Sequence, residues 1–333
     1  MAIQPKTLNV SEYPRALGWA PDGGWLAVGL GDGGLTLVRG DGGSIEGRRK
    51  VHDAAILGLA WNPRGAELAT SGEDGWLRVW DGISGEKRWE WAWEADWPEH
   101  VVWAPDGEHV AVAGGAQVRV WNRGGQLVQL LDRFGSTVSG LVWRPDSRAL
   151  ATSSYGVVQI HALGEEVPTA AMVWKSSFVS IAWSPDGRHL AAGTQENSVI
   201  YWKAPFGDGE PLQMSGYASK VKQLAWDHRS RHLSTGGGEV ATVWDVSGAG
   251  PSGTRPVQLA GHEKRITALA YKPRGDVLVS GGRDGGVYFW NPMAGEQGVK
   301  AFSFNAAAEG LAWSVTGDRL AASAADGTLA LFL

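Results

Sequence analysis

Apolar positions in this chain come in short alternating runs, not along helical faces. One unit shows the whole pattern. An apolar run ends in an aromatic residue, and a turn such as Pro21-Asp22-Gly23 follows. A second apolar run comes next, then a turn such as Glu73-Asp74-Gly75, and then a third run such as WLRVW. Period-two alternation between Gly- and Asp-rich turns predicts antiparallel strands joined by hairpins. A fourth, more polar run completes the unit. No unit contains a segment of helical periodicity. The segment LGWAPDGGWLAVG returns seven more times, as LAWNPRGAELATSG, VVWAPDGEHVAVAG, LVWRPDSRALATSS and so on to LAWSVTGDRLAASA. Its aromatic anchors are Trp19, Trp61, Trp103, Trp143, Trp183, Trp226, Tyr271 and Trp313. They stand 40 to 45 residues apart, a period that suits one four-stranded sheet per unit. The template covers the chain from about residue 7 to 333, so a single domain spanning 1–333 is expected, with no room for a separate catalytic domain.

Composition sharpens this picture in two places. The 48 Gly residues supply many tight turns, and the 19 Trp residues need a large core or a recognition face. The net charge of -5 excludes the electropositive footprint of a nucleic-acid binder. The compact basic cluster Arg48-Arg49-Lys50 reads as a solvated loop. No cysteine is present, which removes disulfides, thiolate nucleophiles and thiolate metal sites. The first residues, MAIQPKTLNV, have neither a basic nor an apolar leader region, and no apolar run is long enough to span a membrane. These features lead to the expectation of a cytoplasmic protein with no membrane partner. The sequon at Asn9-Val10-Ser11 is taken as chance.

The ends of the third runs carry a specific resemblance. Val79-Trp80-Asp81, Val120-Trp121-Asn122, Val243-Trp244-Asp245 and Phe289-Trp290-Asn291 resemble the signature of the WD40-repeat family, and Gly261-His262 resembles its Gly-His element. The resemblance implies an all-β, closed β-propeller whose usual work is to hold other proteins. Eight units predict eight four-stranded blades; seven, the commonest count in that family, is the alternative. The last unit stops after a third run, Thr328-Leu329-Ala330-Leu331-Phe332. A spare extended segment, residues 7–10, precedes the first unit. Pairing the two would complete the last blade and remove an open sheet edge.

The same family places a His, a Ser or Thr, an Asp and a Trp in a buried hydrogen-bond network. Two units match it throughout: His52, Thr70, Asp74 and Trp80, and His262, Ser280, Asp284 and Trp290. Each set superficially resembles a hydrolase triad, but its recurrence at one repeat spacing favours a structural role. Nine residues before the other anchors stand Val10, Glu94, Phe134, Trp174, Tyr217 and Phe304. Four of the six are aromatic, which predicts that apolar packing between blades replaces the polar network.

The resemblance implies that the loops entering the first strands lie around the channel mouth, and six residues before four of the anchors stand Tyr13, Trp97, Lys220 and Arg265. Together they form a candidate protein-binding rim, suited to an acidic or amphipathic protein or peptide. The competing reading has Trp97 packing its own loop and the charges merely solvated. The segment WEWAWEADWPEH, residues 89–100, sets Trp89, Trp91 and Trp93 on one strand face and leaves Trp97 the candidate for exposure. No P-loop, EF-hand or His-Glu-x-x-His pattern is present, so no catalytic residue, cofactor or metal is assigned. An interaction scaffold is therefore the leading reading. An enzyme or small-ligand propeller with a pocket at the channel mouth is the alternative.

Overall fold

The computed structural model describes residues 4–333 except 43, 95, 208 and 249. Among the described residues every regular element is a strand. β1 (Lys6–Asn9) precedes β2 (Pro14–Trp19), β3 (Trp25–Leu30), β4 (Gly34–Arg39) and β5 (Ile45–Lys50). β6 (Ile56–Trp61), β7 (Glu67–Gly72), β8 (Trp76–Asp81) and β9 (Lys87–Ala92) follow. Next come β10 (His100–Trp103), β11 (His109–Gly114), β12 (Gln117–Asn122) and β13 (Leu127–Leu131). The middle of the chain holds β14 (Gly140–Trp143), β15 (Ala149–Ala162), β16 (Ala170–Trp183), β17 (His189–Thr194), β18 (Val199–Lys203) and β19 (Leu212–Met214). After it run β20 (Gln223–Trp226), β21 (His232–Gly236), β22 (Val240–Asp245) and β23 (Val257–Ala260). The last are β24 (Ile266–Tyr271), β25 (Leu278–Gly282), β26 (Gly286–Trp290), β27 (Gly298–Ser303), β28 (Ala308–Trp313), β29 (Leu320–Ala324) and β30 (Thr328–Phe332).

The fold is all-β and of propeller type, with antiparallel sheets built from consecutive strands. The chain divides into two compact units, one of residues 12–175 and one that joins the N-terminal segment up to Ser11 to residues 176–333. The first unit contains the sheets β2-β3-β4-β5, β6-β7-β8-β9 and β10-β11-β12-β13. The second contains β20-β21-β22-β23, β24-β25-β26-β27 and β1-β30-β29-β28. The remaining sheet has six strands in the order β14-β15-β16-β17-β18-β19.

The strands thus gather into seven sheets, the alternative number, and the expected eight separate four-stranded sheets are not formed. The physical reason lies in β15 and β16, each 14 residues long. β16 runs unbroken into the Trp183 repeat, so the Trp143 and Trp183 repeats share one sheet. Gly156, midway along β15, takes φ +77°, which a regular strand does not hold, so the strand changes course there. All eight anchors nevertheless end a strand: β2, β6, β10, β14, β16, β20, β24 and β28.

Local chemistry explains the hairpins. After Trp19, Gly23 adopts φ 69° and its N–H donates to the Ala20 carbonyl at 2.8 Å. The Asp22 carboxylate accepts the Gly24 N–H at 2.8 Å, which fixes the turn without help from the core.

The anchors hold neighbouring repeats together. In the first unit the indole N–H groups of Trp61, Trp103 and Trp143 donate to the carbonyls of Gly18, Ala60 and Val102 at 3.0, 3.1 and 3.1 Å. In the second unit Trp226 and Trp313 donate to Ala182 and Ala270 at 3.3 and 3.4 Å. Each acceptor immediately precedes the anchor of the repeat before, so one residue supplies both apolar burial and an inter-repeat hydrogen bond. Trp183 departs from this pattern, since its indole nitrogen is buried without a partner.

Within the second unit β1 pairs antiparallel with β30, from Lys6 opposite Leu331 to Asn9 opposite Thr328. The Val10 N–H continues the ladder to the Gly327 carbonyl at 2.9 Å, and Val10 itself is buried. β30 is therefore an interior strand.

Candidate functional site

Two polar networks tie the loops at His52 and His262 to the strands and turns beside them. In the first unit His52 Nδ1 lies 2.8 Å from Asp74 Oδ1, and His52 Nε2 lies 2.9 Å from Thr70 Oγ1. The Trp80 indole donates to the same Thr70 oxygen at 2.9 Å. Asp74 also accepts from the Asp53 N–H at 3.1 Å and from Arg78 at 2.7 Å. In the second unit His262 lies 3.0 Å from Asp284 and 2.7 Å from Ser280, and Trp290 donates to Ser280 at 2.8 Å. Gly72 and Gly282 leave room for these rings: a Cβ there would lie 2.5 Å from His52 Nδ1 and 2.4 Å from His262 Nδ1. Burial pushes both histidines below their ordinary pKa, against the raising effect of their aspartates. Each hydroxyl is committed to an indole and an imidazole and lies in the core, away from any open surface. That arrangement fixes a turn and offers no nucleophile.

The aromatic replacements divide into types. Phe304 is buried, whereas Phe134, Trp174 and Tyr217 are half-buried. Tyr217 is not an apolar substitute. Its hydroxyl accepts the Trp244 indole N–H at 2.8 Å and meets Thr235 Oγ1 at 2.8 Å, so it rebuilds the network with a phenol. Burial pushes its pKa up to about 12. Glu94 is exposed, and the buried ring of that repeat is its neighbour Trp93. Trp93 packs beside Trp121, and a Cβ on Gly114 would lie 2.8 Å from its indole nitrogen. A shift of one residue in the loop moved the ring, and the equivalent Gly is the signal that locates it.

The four residues of the candidate rim fall two to each unit. In the first, Tyr13 is half-buried and its carbonyl accepts the Gly31 N–H at 2.9 Å. Trp97, between β9 and β10, is 58% exposed. Trp89 and Trp91 instead reach from β9 to the β12–β13 turn, donating to the carbonyls of Arg123 and Gly125, each at 3.2 Å. The basic cluster of the sequence lies on strand β5, where Arg48 pairs with Asp32 and Arg49 donates to the Ser84 carbonyl at 2.8 Å.

In the second unit Lys220 and Arg265 are adjacent. Arg265 Nη2 donates to the Lys220 carbonyl at 3.1 Å, and the Arg265 carbonyl accepts the Arg283 N–H at 2.9 Å. Lys222 and Lys264 are exposed on the same two loops. Arg265 borders a concavity of about 510 Å³ together with Tyr217, Ser219, Gly237, Gly238 and Glu239. The Ser219 hydroxyl is buried there without a partner. Sequence reasoning missed Lys222, Lys264, Arg283 and Ser219, because they stand at other offsets from the anchors.

Among the described residues no group of three or more His, Asp or Glu side chains is placed to hold a metal ion, and no helix is long and apolar enough to cross a membrane.

The WD domain, G-beta repeat family matches residues 44–81, 171–203 and 253–291. The second and third matched segments contain the Trp183 anchor and the complete His262 network. The chain carries WD40 repeats in these three segments. Its sequence is 30% identical over 114 residues to an intraflagellar transport protein 80 homolog of Mus musculus, covering 32% of this chain and 14% of that protein. It is 39% identical over 66 residues to the ribosome biogenesis protein erb1 of Emericella nidulans, covering 20% and 8%. It is 31% identical over 98 residues to a probable cytosolic iron-sulfur protein assembly protein 1 of Cryptococcus neoformans var. neoformans, covering 23% and 22%. The match thus takes in less than a quarter of each relative's length. Among solved structures, the computationally designed Ika8 protein has a TM-score of 0.83 at 19% identity, covering 99% of both chains. That likeness is one of fold.

Proposed function

We propose that this WD40 protein is an interaction scaffold and that the basic loops around Lys220 and Arg265 receive an acidic peptide segment of a partner protein. The observation that carries this reading is the concavity beside Arg265, with its buried, unpartnered Ser219 hydroxyl. A guanidinium there offers paired donors to a carboxylate, and the hydroxyl gains a partner when a ligand arrives. Arg265 is hydrogen-bonded to the backbone of Lys220 and Arg283, Lys222 and Lys264 are exposed on the same two loops, and Glu239 lines the concavity itself. A basic field of this kind selects an acidic partner and speeds its encounter. The hydrogen-bonded turns beneath the loops hold them at fixed positions, which limits the ordering cost of binding. Trp97, exposed on the other unit, is a separate aromatic anchor of the kind frequent in protein interfaces.

Binding is favoured over chemistry here. Of the ionisable side chains at the concavity, Tyr217 is pushed up to about 12 by burial and holds its proton at neutral pH.

A displayed peptide library selected on the wild type and on Arg265→Glu tests this reading. Wild type is expected to enrich peptides rich in Asp and Glu, and the variant to lose that enrichment. Equal enrichment on both, or a wild-type preference for basic peptides, contradicts it.

A further inference from the structure

One third-strand position breaks the pattern of its neighbours. Trp121 follows its anchor Trp103 by eighteen residues, and Trp80 follows Trp61 by nineteen. Eighteen residues after Trp143 stands His161, an imidazole in the place of an indole. Space opens beside it. Between β13 and the outer half of β15 lies a cavity of about 400 Å³, lined by Gln129, Leu131, Phe134, Gln159 and His161. The gap beside Trp80, lined by Leu35, Glu46 and Arg49, is about 220 Å³.

The walls have a definite chemistry. Phe134 meets His161 edge-on, with ring centroids 5.8 Å apart. Gln129 spends its amide on the protein: Nε2 donates to the Ala162 and Glu165 carbonyls, and Oε1 accepts from the Gly164 N–H. His161 is different. It is 4% exposed, and neither ring nitrogen has a partner. Burial alone pushes its pKa down to about 4, so at neutral pH the ring carries one donor and one acceptor. Buried polar atoms are nearly always paired, and this ring is an exception that a ligand can satisfy. The exposed Val128, Leu130 and Val167 also line the cavity, as do Arg133 and Glu166, which stand 3.8 Å apart.

We propose that this cavity binds a planar aromatic ring bearing an N–H or O–H, of the indole or phenol class. Such a ring fills the space that Trp occupies in neighbouring repeats and bonds to the imidazole of His161. The shape argument and the unmet hydrogen bonds are independent, and both ask for the same group. The cavity shares no lining residue with the concavity at Arg265.

Indole is the first probe, added to the full chain while the ring resonances of its histidines are followed by NMR. Saturable shifts of the His161 signals are expected, and His161→Trp, with its own indole in the gap, is expected to bind at least about tenfold more weakly. N-acetyltryptophan amide separates the sources. Binding as tight as that of indole indicates a side chain presented by a peptide, and its exclusion indicates a free small molecule. Absence of saturable His161 shifts up to the solubility limit of indole overturns the proposal, whatever the folding of the variant. So does undiminished binding by a folded His161→Trp.

Discussion

The indole of Trp244 donates its N–H to the phenol oxygen of Tyr217 at 2.8 Å, and the phenol reaches Thr235 at 2.8 Å. In the His52 and His262 repeats the corresponding indole donates to a Thr or Ser hydroxyl that also meets the histidine. The phenol therefore does with one oxygen what an imidazole and an aspartate do elsewhere. It ties the loop before the first strand to the third strand of the same sheet. Tyr217→Phe keeps the ring and deletes that oxygen. Thr235 retains its bond to the Thr242 carbonyl, but the Trp244 N–H is stranded. We expect a loss of about 1–3 kcal/mol, the usual cost of an unmet buried donor, read from urea unfolding. A neutral result would show that the hydroxyl contributes no net stability.

The anchor tryptophans allow an internal control. Trp103 donates to Ala60 at 3.1 Å, whereas the Trp183 indole nitrogen has no partner. Substitution by Phe removes comparable ring volume at either site, but a hydrogen bond only at Trp103. Trp103→Phe should therefore cost more than Trp183→Phe, by roughly 1 kcal/mol, the net worth of a typical buried hydrogen bond. Equal losses in denaturant midpoint would assign the anchors to packing alone.

Removal of residues 1–10 takes away β1 and exposes one edge of β30, whose sequence TLALF is apolar. An uncovered strand of that composition is a template for pairing with other chains. Lower thermal stability and concentration-dependent aggregation are expected by calorimetry and light scattering. A monomer with unchanged cooperative unfolding would show that β1 contributes little.

Much of this was legible in the chain. The anchors, the Asp-Gly turns and the extended segment before the first repeat are all local signals. The two histidine networks could be read because their offsets recur. What escaped was set by the third dimension. Tyr217 read as an apolar filler because the sequence does not show the hydroxyl aimed at Trp244. Trp93 was overlooked in favour of Glu94 because the loop before it differs by one residue. The shared sheet of the Trp143 and Trp183 repeats depends on β15 and β16 running longer than the other strands, and residue type alone does not set strand length. His161 stood at the correct offset for a third-strand Trp, but without the cavity its smaller ring carried no message.

Acidification tests the buried imidazole directly. The His161 pKa is about 4 in the fold and near 6.5 in the unfolded chain. Between those values the unfolded chain takes up a proton that the folded ring refuses, so stability falls as pH drops from about 6.5 towards 4. His52 and His262 are also lowered and act in the same direction. His161→Gln should flatten the slope by up to about 1.4 kcal/mol per pH unit, the contribution of one proton. An unchanged slope in the variant would mean that His161 already carries its proton in the fold, or lies open to water.

Partners received on the loops at Lys220 and Arg265 would be revealed by capture from native extract. Three baits are compared with folding verified for each: wild type, Lys220→Glu/Arg265→Glu, and Arg229→Glu in the β20–β21 turn at the far end of the same sheet, where Arg229 is exposed. The proteins retained by wild type should be retained by Arg229→Glu and fall at least about tenfold, equivalent to about 1.4 kcal/mol, on the double variant. Full retention by the double variant together with loss on Arg229→Glu would contradict the claim and move the binding surface to the opposite end of the sheets.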